Sequence, residues 1–254
     1  MNSGMIKTKD DIAKIRAGGK LLADILRRTA KLVKPGISTG ELNEFAEKEI
    51  VAAGGRPSFK GYGPKGGEFP AGLCTSINSV VVHGIPSKKA VLEAGDIVGL
   101  DIGMEYQGRY TDMAITVPVG KVDARTEKLL QVTKEALTLA IKQAKAGNRI
   151  GDIAHATQSH IEKNGFNVVR DLVGHGVGYS VHEDPQVPGY GRAGTGLVLQ
   201  EGMVLAIEPM VTIGDYHLGV EDDSWSISTV DGSLAAHFEH TVAVGKNGAE
   251  ILTA

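Results

Sequence analysis

Four carboxylate side chains occupy matching places in two similar stretches of this 254-residue sequence, and such a set could bind divalent cations. Asp101 ends the segment AGDIVGLD and Glu208 ends EGMVLAIE, each six residues after a glycine. Asp112 follows in TDMAITV, and Glu239 follows in FEHTVAV. Their apolar neighbours predict buried strands, where clustered like charges need protons or cations. We therefore expect a metal centre rather than four unrelated surface acids.

Histidines add nitrogen donors to this set. His83 and His175 each precede a glycine at matching places, and GHGVGYSVHEDP places His175 and His182 seven residues apart. We expect all three at the site. Oxygen-rich sites suit Mg²⁺, Mn²⁺ or Fe²⁺, and one imidazole shifts the preference toward transition metals. Two ions bridged by carboxylates, about 3.5–4 Å apart, are typical of metal-assisted hydrolysis.

Other side chains near these acids receive a different interpretation. His237 and His240 flank Glu239, and we expect both on the face opposite Glu239, in structural roles. Cys74 is the only cysteine, and LCTSIN places no base beside it, which favours packing or pocket lining over a nucleophile. The sequence also lacks the G-x-S-x-G, phosphate-loop and H-E-x-x-H motifs of other catalytic classes.

Two helices precede each pair of acids. Apolar residues at helical spacing, with glycine or proline stops, predict helices at 10–33, 41–51, 126–145 and 152–164. Strands are predicted at 80–82, 96–104 and 110–119, with short apolar runs at 168–173, 203–207 and 238–244. Residues 56–76 mix glycine, proline and aromatics, which is typical of a long loop. A hairpin of the second and third strands would place Asp101 opposite or nearly opposite Asp112.

These elements form an internal repeat. KPGISTGEL begins at Lys34 and KAGNRIGDI at Lys145, an offset of 145 − 34 = 111 residues that also joins Gly54 to Gly165. The His-Gly pairs and the acids follow in the same order. We therefore expect one domain over residues 1–254, built of related halves at about 10–120 and 121–248 with the site where they meet.

Composition excludes several functional classes. Lys and Arg number 27 against 30 Asp and Glu, a net charge of −3, unlike that of a dedicated nucleic-acid-binding protein. A single cysteine excludes an intrachain disulfide. The sequence contains no apolar run of the ~18 residues that span a membrane, and residues 1–10 lack the apolar core of a signal peptide. We expect a cytoplasmic protein with no membrane contact.

Six segments, taken in order, resemble those of bacterial-type methionine aminopeptidases of type I: NSVVVHGIP, DIVGLDIG, YTDMAITV, VGHGVGYSVHEDP, LAIEPM and FEHTVAV. The resemblance runs from about residue 8 to the end of the chain. It implies an α+β pita-bread fold, with pseudo-twofold duplicated halves and a curved antiparallel sheet backed by two pairs of helices. It also implies two divalent metal ions (Co, Mn or Fe), with the ligands Asp101, Asp112, His175, Glu208 and Glu239.

The resemblance further implies removal of the N-terminal methionine from nascent polypeptides whose second residue is small, through a water or hydroxide that bridges the metals. The expected catalytic residues are Glu208, His182 and His83. The two histidines would also contact substrate in an apolar, sulfur-tolerant pocket with Val181 at its rim, lined by Phe59, Tyr62, Phe69, Cys74 and Trp225. Expected partners are nascent chains and, transiently, the ribosome, and the expected state is a monomer.

Two departures from the family pattern affect this pocket. The segment FKGYGPKGGEFPAGLC, from Phe59 to Cys74, is a few residues longer than in typical bacterial members. Val181 stands where an aromatic residue is common. Both concern the shape of the pocket, and neither touches the expected metal ligands.

Two alternative functions are also compatible with this resemblance. Proline-specific relatives, prolidase and aminopeptidase P, have the same five ligands but generally carry an extra N-terminal domain. Only about 75 residues precede the strand next to His83, too few for that domain plus two helices. A non-enzymatic pita-bread binding module is the other alternative. Such relatives have lost metal ligands, whereas this chain keeps all five.

Overall fold

Four α-helices form two pairs in the part of the chain that the structure describes, residues 4–254 of a computed structural model. The first pair is α1 (Lys9–Ala30) and α2 (Thr39–Ala52). The second pair is α3 (Ala124–Gln143) and α4 (Ile150–Lys163). All four helices were expected from apolar periodicity, and their ends lie within three residues of the predicted ones. Across residues 4–254, no helix is both long enough and apolar enough to cross a bilayer.

Short antiparallel strands make up the rest of the regular structure. The first half contains β1 (Arg56–Pro57), β2 (Leu73–Ile77), β3 (Val80–Val82), β4 (Ile97–Tyr106) and β5 (Arg109–Pro118). The second half contains β6 (Asn167–Val168), β7 (Val173–Gly176), β8 (Glu183–Pro188), β9 (Val204–Ile207), β10 (Met210–Thr212), β11 (Leu218–Val220), β12 (Ile227–Thr229), β13 (Ala235–His237), β14 (His240–Val244) and β15 (Ala249–Ile251).

These strands form two larger and two smaller sheets. In the first larger sheet, β4 pairs with β1, β2 and β5. The second larger sheet has the order β15-β14-β9-β7-β8. The smaller sheets are β13-β10-β6 and β11-β12-β3, and the second of these joins strands from both halves. The α+β arrangement of antiparallel sheets and paired helices agrees with the expected fold class.

Each helix pair covers one larger sheet with its own apolar core. The first core joins α1 and α2 to β4 through Leu22, Ile25, Leu26, Leu42, Ile50, Leu100 and Ile102. The second joins α3 and α4 to β9 and β14 through Leu129, Ala136, Ile153, Ile161, Leu205, Ile207 and Val242. Full burial of one such aliphatic side chain contributes about 1.5–3 kcal/mol. Because side chains alternate along a strand, the opposite face of the second sheet packs Val204, Ala206 and Ala243 against Ile15 and Leu252.

Side-chain hydrogen bonds join the halves where β5 runs beside β13 and β14, a junction that we call the seam. Thr241 Oγ1 accepts from the backbone N–H of Asp112 at 3.0 Å and donates to the Asp112 carbonyl at 2.8 Å. Thr116 Oγ1 makes the same two bonds with the backbone of His237, both at 2.9 Å. The N–H of Glu239 donates to a β5 carbonyl at 2.9 Å. The seam therefore holds Asp112 and Glu239 side by side.

One expectation about strands needs correction, and a second, that Asp101 and Asp112 lie opposite or nearly opposite, is made more specific by the register. Residues 56–76, predicted as a long loop, contain β1 and most of β2, because distant pairing with β4 imposes extended structure there. Asp101 pairs with Ala114, and Asp112 pairs with Gly103. The two acids are therefore offset by two positions along the hairpin rather than directly opposite, although they share one face.

Asp11 connects the first turn of α1 to both halves. Its buried carboxylate accepts hydrogen bonds from the Thr8 N–H at 3.0 Å, from Arg109 Nε at 2.7 Å and from the Tyr179 hydroxyl at 2.7 Å. Arg109 begins β5, and Tyr179 lies in the loop between β7 and β8. Burial alone would raise the pKa of Asp11, but the hydrogen bonds from Thr8, Tyr179 and Arg109 outweigh it and lower that pKa well below its usual range.

We expect Asp11→Asn to reduce the free energy of unfolding at pH 7 by about 1–3 kcal/mol, since buried partners lose a charged acceptor. The folded-state pKa of Asp11 is lower than the unfolded value of about 3.9, so its contribution is present above that pH and lost as pH falls below it. Urea unfolding at pH 7 and at about pH 3.5 checks both points. Asp10→Asn, on the exposed face of the same helix, is the control. A difference between wild type and Asp11→Asn that widened in acid would contradict the assignment.

Candidate active site

A cavity of about 550 Å³ opens beside the seam and brings the candidate residues together. Every expected metal ligand lines it: Asp101, Asp112, His175, Glu208 and Glu239. Every expected substrate-contacting residue lines it as well: Phe59, Tyr62, Phe69, Cys74, His83, His182 and Trp225. The repeat-based expectation of a site where the halves meet therefore agrees with the placement of these side chains.

The acids reach the cavity from both halves. Asp101 and Asp112 project from β4 and β5, Glu208 follows β9, and Glu239 lies between β13 and β14. One oxygen each from Asp101, Asp112 and Glu239 lie within 4.8 Å of one another. The same 4.8 Å separation holds for a second group, formed by one ligand atom each of His175, Glu208 and Glu239. The two groups share Glu239, so neighbouring cations could share that carboxylate.

Burial and mutual repulsion raise the pKa values of the three acids at the seam. Burial and the charge of Glu208 raise the pKa of Asp101 to about 6. Burial and the charge of Asp101 raise the pKa of Asp112 well above its ordinary value. Burial and the charge of Asp112 do the same for Glu239. One oxygen of each of these three acids is buried without a hydrogen-bond partner. Unpartnered carboxylate oxygens are the ligands that divalent cations take, so the residues fit a metal.

His175 presents a free ring nitrogen to these acids. Its Nδ1 lies 2.9 Å from the Gly176 carbonyl oxygen, so the Nδ1–H donates there. The Nε2 lone pair then faces Glu208 Oε1 at 3.5 Å and Asp112 Oδ2 at 4.0 Å. A hydrogen bond from the remote nitrogen fixes the tautomer of a metal-binding imidazole in this way. One nitrogen among oxygens suits borderline ions such as Mn²⁺, Fe²⁺ and Co²⁺.

The glycine after each repeated histidine has a steric role. A Cβ on Gly84 would lie 2.3 Å from the Thr75 carbonyl oxygen, and one on Gly176 would lie 2.2 Å from the Asp184 carbonyl oxygen. Both positions therefore require glycine, because the backbone of a neighbouring strand passes too close for any side chain. The same close approach in both halves accounts for the His-Gly pairs that the repeat analysis identified.

His83 and His182 face the acids across the cavity. Burial lowers the pKa of His83. Partial burial and the neighbouring His175 lower the pKa of His182 to about 4. The rings of His175 and His182 meet edge to face with centroids 4.4 Å apart. Both His83 and His182 are therefore largely neutral near pH 7, when each imidazole has one donor and one acceptor nitrogen.

His237 is a site residue that the sequence analysis placed wrongly. It lines the cavity, and its Nε2 lies 3.2 Å from Glu208 Oε2. The sequence could have predicted this position, because His237 and Glu239 are two residues apart and an extended chain places such side chains on one face. His240 faces away, as expected, and its Nδ1 lies 3.0 Å from Thr253 Oγ1. The apolar lining residues Val82, Leu172 and Met210 were also missed.

The apolar wall of the cavity is one cluster formed by Phe59, Phe69, Ala71, Cys74 and Val181, with Trp225 packed against it. Val181 is buried within this cluster and does not line the cavity, so the expectation of Val181 at the rim is wrong. Burial and the nearby Asp101 charge raise the pKa of the Cys74 thiol well above its ordinary value. A protonated thiol agrees with a lining role rather than a nucleophilic one.

Comparisons with known proteins give the same picture. Residues 13–246 match the model of metallopeptidase family M24. The methionine aminopeptidase of Clostridium acetobutylicum is 47% identical over 98% of both chains. Methionine aminopeptidase 1 of Bacillus subtilis is 45% identical over 97% of this chain and 98% of its own. The crystal structure of methionine aminopeptidase from Thermotoga maritima superposes with a TM-score of 0.95, 48% identity and 98% coverage of both chains.

A more distant likeness concerns the fold alone. The prolidase of Pyrococcus horikoshii superposes with a TM-score of 0.78 at 23% identity, covering 98% of this chain but 63% of that one. The pita-bread architecture is thus common to both kinds of peptidase. The remaining part of the prolidase chain, outside the match, agrees with the extra domain expected of proline-specific relatives.

The metal-fitting cavity at the seam and the full-length matches define the class: this chain belongs to metallopeptidase family M24, among its methionine aminopeptidases. The expected pita-bread fold and aminopeptidase activity are confirmed, and the sequence relatives favour them over a proline-specific peptidase or a binding module. Membership of a metallopeptidase family implies a divalent metal, and the groups of acids and histidines described above could hold it.

We expect Asp112→Asn to raise the melting temperature of the chelator-treated protein at pH 8, because it removes one of several mutually repelling buried charges. For a chain of this size, each kcal/mol gained corresponds to about 2–4 °C. Adding Mn²⁺ stabilises wild type by mass action and leaves the variant nearly unchanged.

Thermal unfolding with EDTA and then with excess Mn²⁺ measures both effects. Glu201→Gln, at an exposed turn, removes a carboxylate outside the cavity and should behave like wild type in both conditions. A lower melting temperature for metal-free Asp112→Asn, or an unchanged response to Mn²⁺, would show that Asp112 does not belong to the cluster.

Proposed function

We propose that this chain hydrolyses the first peptide bond of polypeptides that begin with methionine and have a small second residue. The observation that carries the proposal is one cavity in which a metal-fitting acid cluster faces an apolar, aromatic wall. Residues 1–254 act as a single catalytic domain in this proposal. Its halves, about 10–120 and 121–248, contribute Asp101 and Asp112 on one side and His175, Glu208 and Glu239 on the other.

The proposal includes two divalent ions. Asp101, Asp112 and Glu239 would hold one, and His175, Glu208 and Glu239 would hold the other, which is supported by two of the three groups of ligand atoms that lie within 4.8 Å of one another. When bound, such ions polarise a carbonyl and lower the pKa of water to near neutrality. Cobalt, manganese and iron all suit this donor set, and availability decides among them.

Glu208 is the group proposed to accept the proton of the attacking water. Burial alone would raise the pKa of Glu208, but the adjacent His237 imidazole, whose Nε2 lies 3.2 Å from Glu208 Oε2, lowers it. Glu208 is therefore a carboxylate at neutral pH and can take a proton. His237, at 3.2 Å, would hold one Glu208 oxygen in place while the other faces the cavity.

The two neutral histidines, His182 and His83, are proposed to have different catalytic roles. His182 would donate a hydrogen bond to the carbonyl oxygen as negative charge develops on it, and loss of one such donor typically costs ~10²–10³ in rate. His83, from the other half, would contact the amide of the scissile bond and help the leaving amine to acquire its proton. The lowered pKa values of both side chains support roles as neutral hydrogen-bonding groups.

The apolar wall is proposed to receive the methionine side chain. Phe69 and Trp225 meet edge to face with centroids 5.3 Å apart, and Phe59, Tyr62 and Cys74 complete the surface. A thioether gains ~0.3–1.5 kcal/mol from each aromatic contact of this kind. A cytoplasmic location, a monomeric state and transient contact with the ribosome remain predictions from the sequence.

We expect a panel of X-Ala peptides to be cleaved best when X is methionine, with norleucine cleaved more slowly. Pockets separate residues that differ by about one methylene only ~10–200-fold, so cleavage of norleucine should be measurable. Chelation should remove the activity, and Mn²⁺ should restore it. Preference for Pro-X or X-Pro peptides over Met-Ala would overturn the proposal in favour of a proline-specific peptidase.

Replacement of His182 separates binding from catalysis. We expect His182→Ala to lower kcat by ~10²-fold or more while bound metal is retained, because this side chain stabilises the transition state rather than the ion. Steady-state kinetics and elemental analysis of the same preparation measure both quantities. His217→Ala, in an exposed loop, is the control. A raised KM with unchanged kcat would make His182 a substrate binder only.

A further inference from the structure

The longer segment noted in the sequence forms a small closed loop at the cavity, which we call the cavity loop (residues 61–69). The Gly61 N–H donates to the Phe69 carbonyl at 2.9 Å, and the Phe69 N–H donates to the Tyr62 carbonyl at 2.7 Å. Inside it, the Gly67 N–H donates to the Pro64 carbonyl at 2.9 Å. These bonds give Tyr62 a fixed place at the base of the loop.

Trp225, from the other half of the chain, holds the cavity loop in position. Its Nε1–H donates to the Gly67 carbonyl at 3.1 Å, and its ring meets Phe69 edge to face. A Cβ on Gly63 would lie 2.8 Å from the indole, and Gly63 has a φ of +114°. Glycine at this position therefore lets Trp225 pack directly against the loop backbone.

The loop places the Tyr62 hydroxyl 2.6 Å from Nδ1 of His182, with the two rings edge to face at 5.0 Å. The phenolic O–H of Tyr62 can donate in this hydrogen bond, because a tyrosine hydroxyl is both a donor and an acceptor. When Tyr62 donates, Nδ1 accepts, and the hydrogen of the neutral imidazole must be on Nε2.

We propose that Tyr62 is a positioning residue that holds His182 in the tautomer with its hydrogen on Nε2. This inference rests on the proposed function, in which His182 donates to the carbonyl oxygen of the scissile bond. The other tautomer would turn a lone pair toward that oxygen and oppose the developing negative charge. Tyr62 is 41% exposed, so the cavity loop and Trp225, rather than burial, keep its hydroxyl in place.

The test is Tyr62→Phe, which keeps the ring in the wall and removes only the hydroxyl. We expect kcat on a Met-Ala peptide to fall about tenfold, the equivalent of one hydrogen bond, with KM changed less than about twofold. In Zn²⁺-loaded protein with ¹⁵N-labelled histidine, NMR should show hydrogen on Nε2 of His182 in wild type and a mixture of tautomers in the variant. His182→Ala assigns the signal.

Two further variants complete the design. Trp225→Phe keeps an aromatic wall but loses the bond to Gly67, and it should produce a smaller shift of tautomer in the same direction. Tyr216→Phe removes a hydroxyl from a ring that stacks on His217 outside the cavity, and it should match wild type. Unchanged tautomer and kcat in Tyr62→Phe, or a rise in KM alone, would overturn the inference. Failure of wild type to cleave Met-Ala would instead refute the proposed function, while the NMR result would still test Tyr62.

Discussion

Electrostatic repulsion among buried carboxylates is the constraint around which this molecule is organised. Asp101, Asp112, Glu208 and Glu239 would separate in a flexible chain, yet the backbone holds them within the reach of shared cations. The opposing force comes from outside the cluster. Thr241 makes two hydrogen bonds with the backbone of Asp112, and the apolar cores behind both sheets oppose separation of the halves at the seam. The fold thus maintains a site that is unfavourable by itself and becomes favourable when positive charge enters it.

Three imidazoles complete the site, and each has one ring nitrogen in contact with a neighbouring oxygen. The Gly176 carbonyl orients His175, Glu208 engages His237, and the Tyr62 hydroxyl contacts His182. A neutral ring has only one donor and one acceptor, so occupying one nitrogen decides what the other can do. Three rings of one residue type can therefore serve as a metal ligand, a carboxylate partner and a hydrogen-bond donor within one cavity.

Local patterns made much of this structure predictable. Helical periodicity located α1 to α4, and the repeated order of His83, Asp101 and Asp112 with their counterparts located the site. Features that depend on distant partners were missed. β2 is extended because β4 lies beside it, and the offset of the two aspartates is a matter of register, which apolar alternation does not reveal. The contact between Tyr62 and His182 joins residues 120 positions apart, so no local sequence pattern predicts it.

The way the two halves interlock also has a consequence for how the chain folds as it is made. Lys7 donates its backbone N–H to the Gly202 carbonyl, and its buried ammonium pairs with Glu183. This early segment can therefore make its native contacts only after residues almost two hundred positions later have been synthesised. Thr241, which clamps Asp112, appears later still. Pairings of such long sequence separation form slowly. A chain still attached to the ribosome with only its first half exposed holds two of the four acids, so the cavity at the seam cannot form until synthesis of the chain is nearly finished.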